Sequence, residues 1–209
     1  MKEELGESLR EEWNREQWPG ELWDALQLLK VERAQGIAML SVLSERGSPL
    51  AMMHLGHTLS LRGSPDEQDL AEVWLSRSAN AGSIEGRLQL AIHFKRQKSG
   101  AKAVQELMTL MDRGYAPAMY LLGQIFYFGT LVDRDVDRAV HCFNHAKRAG
   151  HIPALGALSV IYRKEAFGVR ATIAAHWNFL TKIPSAIRLM RRYPNSDRLR
   201  GMAREKLSF

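Results

Sequence analysis

The sequence predicts an all-α protein, an α-solenoid of stacked antiparallel helical hairpins wound as a right-handed superhelix. Three observations carry that expectation: a repeat of roughly thirty-five residues, helical spacing of small and apolar residues inside each repeat, and no stretch of sustained strand-type alternation. The repeat shows first in its closing glycines. Ala79-Asn80-Ala81-Gly82, Met111-Asp112-Arg113-Gly114 and Lys147-Arg148-Ala149-Gly150 end alike, and Gly47 closes Ser44-Glu45-Arg46, giving intervals of 35, 32 and 36 residues.

What surrounds each glycine also recurs. Four positions later stands a small residue (Ala51, Gly86, Ala118, Ala154), and eight positions later a leucine (Leu55, Leu90, Leu122, Leu158). The next position is small again: Gly56, Ala91, Gly123, Ser159. Eleven positions before each closing glycine stands Gly36, Ala71, Ala103 or Ala139. Residues spaced by four and five share one helical stripe, and a missing side chain there lets a second helix approach closely. The second stripe, Ala71-Trp74-Leu75-Ser78 or Ala139-Cys142-Phe143-Ala146, supplies the bulk that fills the gap. The glycines suit left-handed helix ends, and Pro49, Pro117 and Pro153 follow within two or three residues, where a first helical turn needs no N–H. Ser64-Pro65-Asp66-Glu67 reads as a turn into an acidic helix start. One such hairpin cannot bury its apolar side; stacked neighbours can.

These residues resemble the Sel-1-like repeat. The likeness is carried by Tyr120-Leu121-Leu122-Gly123-Gln124-Ile125-Phe126-Tyr127-Phe128-Gly129 with Val132, Asp135, Ala139, Cys142-Phe143, Ala146 and Gly150, and by Ala51, Leu55-Gly56, Asp69, Ala71, Trp74-Leu75, Ala79 and Gly82. The resemblance implies a tetratricopeptide-like hairpin with a longer inter-helix loop, in proteins that act as non-catalytic scaffolds or adaptors. The unit at 83–114 is shorter and lacks that loop, and the unit from 151 lacks a closing glycine. The expected division is an acidic N-terminal segment over 1–20, repeats over 21–183 and basic capping helices over 184–209. The repeat units are placed at 21–47, 48–82, 83–114, 115–150 and 151–183.

Composition narrows the functional classes. The chain has 209 residues, 45% hydrophobic and 25% charged, which is globular. One cysteine, Cys142, excludes an intrachain disulfide and a four-cysteine zinc site. No apolar run nears the ~18 residues that span a bilayer, and the acidic start is unlike a secretory signal, so a cytoplasmic location is expected. The net +6 is unevenly spread: residues 1–24 hold eight acids and three bases, residues 147–209 thirteen bases and three acids.

Catalytic motifs are missing: no Walker loop, no dinucleotide fingerprint, no nucleophile elbow. No enzyme activity, cofactor or metal is expected. His141-Cys142-x-x-His145 has chelating spacing, but Cys142 falls in a core slot. Trp74, Phe126, Phe143 and Trp177 lie on the repeat stripe and are expected in the core, with Trp13, Trp18 and Trp23 capping the first hairpin. In tetratricopeptide-like stacks the first helices line the concave wall. That places Met53, His57 and Ser60, then Leu88, Ile92 and Lys95, then Tyr120, Gln124 and Tyr127, then Gly156, Val160 and Arg163 on a protein-binding groove. A wall so apolar suits a protein or peptide ligand. After an expected break at Pro184 comes a short helix with Arg188, Arg191 and Arg192, followed by a turn at 194–197 and another helix over 198–206. This tail is read as capping the stack or docking on an acidic partner, with self-association of acidic and basic ends a further use. The alternative function makes this basic tail an anionic-membrane-surface or nucleic-acid-binding module; both rank below a protein partner, nucleic acid because no aromatic–basic interleaving accompanies the charge.

Overall fold

The computed structural model describes residues 6–165, 167–193 and 196–200. Among them are eleven helices, one 3-10 turn at Asp197–Leu199 and no strand. The helices are α1 (Glu7–Arg15), α2 (Pro19–Val31), α3 (Arg33–Glu45), α4 (Pro49–Arg62), α5 (Pro65–Asn80) and α6 (Ile84–Arg96). Then come α7 (Gly100–Asp112), α8 (Ala116–Phe128), α9 (Val136–Arg148), α10 (Ile152–Lys164) and α11 (Val169–Arg192). The chain thus folds as the all-α hairpin solenoid its repeat predicts.

Local chemistry sets the ends of these helices. Ser48, Ser83 and Asp135 accept backbone N–H groups at the starts of α4, α6 and α9, and Ser64 with Glu67 forms a reciprocal capping box on α5. Each repeat closes with one motif. Gly82 takes φ 93°, its N–H bonds to Ala79 O, and Ser83 N–H bonds to Ser78 O; Gly47, Gly114 and Gly150 repeat the pattern. The α6–α7 connection uses the same bonds, with Ser99 N–H reaching Phe94 O, but puts Lys98 at φ 57°. A Cβ is strained there, so Lys98→Gly should stabilise the protein by about 1 kcal/mol in a urea titration. Loss of stability would show that the lysine side chain contributes more than its backbone strain costs.

The helices group into two compact units, one of residues Ser8–Glu106, the other running from Leu107 and including Glu7. In the first, α2 packs on α3, α3 on α4, α4 on α5 and α5 on α6. Leu22, Leu40, Leu43, Leu50, Leu55 and Leu75 are fully buried there. Small residues let the helices close. A Cβ on Gly56 would stand 2.7 Å from Leu75 Cγ and 3.1 Å from the Ala71 carbonyl oxygen. The half-buried ion pair of Arg87 with Glu106, at 2.6 Å, ties α6 to α7.

Glu12 and Glu16 act as caps in this unit. The Glu12 carboxylate accepts from Ser83 Oγ at 2.6 Å, Ile84 N at 2.7 Å and Glu85 N at 3.1 Å, at the positive end of α6. Burial nonetheless raises its pKa; the hydrogen bonds pull the other way. Glu16 likewise accepts from Ser48 Oγ at 2.7 Å. Of the three N-terminal tryptophans, Trp13 is buried, Trp18 half-buried and Trp23 exposed.

In the second unit α8 packs on α9, α9 on α10 and α10 on α11, around Leu122, Ile125, Phe143 and Ile161. The 3-10 turn packs against α8 and α10. His151, fully buried, bonds through Nε2 to the Arg200 carbonyl, and Glu7 accepts from Ser196 Oγ and Asp197 N.

Two expectations fail in α11. The helix runs unbroken through Pro184 for 24 residues. Proline removes the bond to the Leu180 carbonyl, but that turn is exposed, so water replaces the lost donor. Trp177 is not core: it is 68% exposed, and Ala175, with Phe179 facing Gly156, makes the contact with α10. The helix expected over 198–206 lies from 201 onward outside the described residues; its start is the 3-10 turn capped by Ser196.

Candidate functional site

The wall residues separate by offset from the Leu-small pair. Two positions before the leucine, Met53 and Leu88 are 4% and 3% exposed and belong to the core. Tyr120, at the same offset, lies 5.6 Å from the Phe143 ring and 4.9 Å from the His151 ring. Met53 and Leu88 are thus enclosed, a correction to their expected place on an open wall, while Tyr120 is half-buried against these rings. The inward tilt of helical side chains puts residues three apart on the same packed side.

Two positions after the leucine, His57, Ile92, Gln124 and Val160 are all half-buried. In the first unit His57 sits beside α6. Burial lowers its pKa, the Arg96 charge lowers it further and a bond to Gln89 opposes them. Arg96 in turn donates to Ser60 Oγ at 3.2 Å, and Ser60, 4% exposed, donates to the His57 carbonyl. Ile92 and Lys95 remain half-accessible beside this cluster.

In the second unit Gln124 donates to Tyr120 Oη at 3.3 Å, so its amide is held in place on α8. Tyr127 is flanked by Phe128, ring centres 5.0 Å apart, and by the Arg134 guanidinium 5.4 Å from its ring centre. Arg134 pairs with Glu165, and burial followed by the Glu165 charge raises the tyrosine pKa. Val160 is half-buried and Arg163 exposed on α10. What this arrangement offers chemically is a row of fixed side chains with mixed apolar and hydrogen-bonding tips.

Metal chemistry finds little support. His141 and His145 rings are 4.5 Å apart, but Cys142 is 3% exposed with its thiol pKa pushed up to about 11 by burial. Among the described residues no group of three or more histidine, cysteine or acidic side chains is placed to hold a metal ion. Also among them, no helix is long and apolar enough to cross a membrane. Arg188, Arg191 and Arg192 are exposed near the end of α11, Arg192 lying over the Tyr193 ring at 5.5 Å.

Sequence reasoning missed the exposed apolar side of α11. Its signal was readable as Ile173, Trp177, Leu180, Ile187 and Met190 at helical spacing, but the repeat register assigned Trp177 to the interior.

Known proteins share this build. The Sel1 repeat family matches residues 49–83 and 116–151, which are α4–α5 and α8–α9 with their closing turns. A crystal structure of a Sel1 repeat protein from Oxalobacter formigenes is similar at a TM-score of 0.60 and 21% identity, covering 79% of this chain and 72% of that one. So is c5321, a protective antigen present in uropathogenic Escherichia coli strains and displaying an SLR fold, at a TM-score of 0.60 and 21% identity. That match covers 82% of this chain, which spans 40% of the length of c5321. No curated protein sequence matches the chain.

Proposed function

We propose that this chain, which carries Sel1 repeats, is a non-catalytic cytoplasmic scaffold or adaptor that binds a protein or peptide through its first-helix rows. Repeats of this fold commonly serve as protein-interaction scaffolds. The observation that carries the proposal is the shared register of His57, Ile92, Gln124 and Val160. Four successive first helices present one partly open side chain each at the same offset, with Lys95, Tyr127 and Arg163 three positions further along. Within each unit two such first helices can take up a ligand by apolar contact, while Lys95 and Arg163 favour acidic side chains beside them.

The test is photo-crosslinking in cells from the native source. A benzophenone side chain replaces Ile92 or Tyr127, and a control replaces Val73, which is 51% exposed on α5. One protein should crosslink from positions 92 and 127 and not from 73. Equal yield from all three, or crosslinks from 73 alone, would remove the first-helix row as the binding surface. Tyr120 is a poor probe, because its contacts with Phe143 and His151 make it part of the packing.

A further inference from the structure

The long terminal helix α11 carries an apolar stripe that the fold does not use. Val169, Ile173, Trp177, Leu180, Ile183, Ile187 and Met190 are 75, 63, 68, 54, 36, 45 and 42% exposed. Spaced by three and four, they fall within about 140° of one another around the helix and extend for roughly 32 Å along it. The packed side is a different one: Ala175 and Ala186 are buried and Phe179 faces Gly156 of α10. Scattered exposed apolar residues are ordinary; seven in one continuous stripe are not.

The stacking rule identifies what belongs there. In three of the four earlier hairpins the second helix is covered by the first helix of the next: α3 by α4, α5 by α6, α9 by α10. No helix follows α11 among the described residues. The chain instead turns back to the starts of α8 and α10, where Arg200 donates to Tyr115 Oη and its carbonyl meets His151.

Charge selects the occupant. α11 carries Arg170, Lys182, Arg188, Arg191 and Arg192 and no acidic residue. A second copy of the same helix would bring the arginines of both copies, Arg170, Arg188, Arg191 and Arg192, along the seam, so pairing between two α11 helices is opposed. At 100° per residue, Arg170, Arg188 and Arg192 all lie on one flank of the stripe, while the other flank adjoins the packed side. The covering of α3, α5 and α9 by a further helix favours a helix over a bilayer on this stripe, and the cations on its edge set the sign of that helix's charge. We infer that α11 is a docking site for one amphipathic helix of another protein, its apolar face on Trp177 and Leu180 and its acids opposite Arg188, Arg191 and Arg192. This inference does not rest on the first-helix rows.

Two synthetic helical peptides test it, alike in their heptad-spaced leucines but carrying glutamate or lysine at the flanking positions. Each is titrated into the full chain by calorimetry. The glutamate peptide should bind at least about tenfold more tightly than the lysine peptide, with a difference that shrinks as salt is raised. Trp177→Ser with Leu180→Ser should weaken it by roughly tenfold or more. These side chains are exposed, so the fold should be retained, as an unchanged thermal transition would verify. Arg188→Glu with Arg191→Glu and Arg192→Glu should reverse the preference. Equal binding of the two peptides, or wild-type affinity in the serine variant, would overturn the inference. So would uptake of the chain by phosphatidylcholine vesicles containing phosphatidylglycerol without peptide binding, which would assign the stripe to a bilayer. Sedimentation showing a dimer that the serine variant abolishes would likewise overturn it, in favour of self-association.

Discussion

Lowering the pH from 6.5 towards 4 should loosen both units together, well before the bulk of the carboxylates lose their charge. His54, in the first unit, has its pKa lowered from 6.5 to about 4, by burial first and then by the nearby His57. His151, in the second, is also lowered to about 4 by burial, against the opposing bond to the Arg200 carbonyl. Burial likewise lowers His57 and His93. The sign follows from linkage. Unfolded His54 and His151 each take up a proton near pH 6.5 that the folded side chain refuses until about pH 4. Its contribution to stability is therefore complete above 6.5 and is lost as the pH falls towards 4. For the fully buried His151 the shift corresponds to about 3 kcal/mol. Urea midpoints measured across this range should fall steeply in wild type, and less steeply in His151→Gln whatever that variant's absolute stability. A flat wild-type profile would mean that these imidazoles are hydrated or paired in solution.

Gly123→Val should be among the most damaging single substitutions in the second unit. A Cβ at position 123 would stand 2.7, 2.9 and 2.9 Å from Cε1, Cδ1 and Cζ of Phe143, whose ring is itself only 2% exposed. Neither ring nor helix has room to retreat, so overpacking of about 3 kcal/mol is expected for valine and somewhat less for alanine. Gly156 is the control, since its Cβ would meet Phe179 at 3.4 Å, an ordinary contact. Gly156→Ala should gain up to about 1 kcal/mol from helix propensity. Phe143→Leu placed in the Gly123→Ala background should recover part of the loss, a coupling that a double-mutant cycle in urea reads directly. If the two glycines respond alike, close approach at position 123 is not what the small residue provides.

Much of the fold was legible because the repeat constrains it twice over. The glycine at each closing turn and the small residue at each helix crossing are both forced by geometry, so Gly82 and Gly56 announce themselves in the sequence. The wall was half legible. His57 and Ile92 are half-buried at their offset, but offset alone could not tell that Met53 and Leu88 would be enclosed, because enclosure depends on what packs over them. The last hairpin escaped for a related reason. Without a closing glycine its second helix had no fixed phase, and Trp177 was assigned by analogy with Trp74 while Ala175 and Phe179 took the packing positions. Pro184 is a breaker by local rule, yet an exposed turn tolerates it within a helix that tertiary contacts hold at Ala175 and Ala186. The N-terminal acids read only as a charge excess, since nothing local reveals that Glu12 and Glu16 reach helix starts some seventy and thirty residues away.

Hydrogen exchange with and without bound ligand is the most direct measurement of the central claim, that the first-helix rows are the binding surface. Peptides selected from a display library on the wild-type chain serve as ligands. Slowed exchange is expected along α4, α6, α8 and α10, around His57, Ile92, Gln124 and Val160, with affinity lost on Ile92→Glu. Protection confined to α5, α7 and α9, with Ile92→Glu binding as wild type, would contradict it.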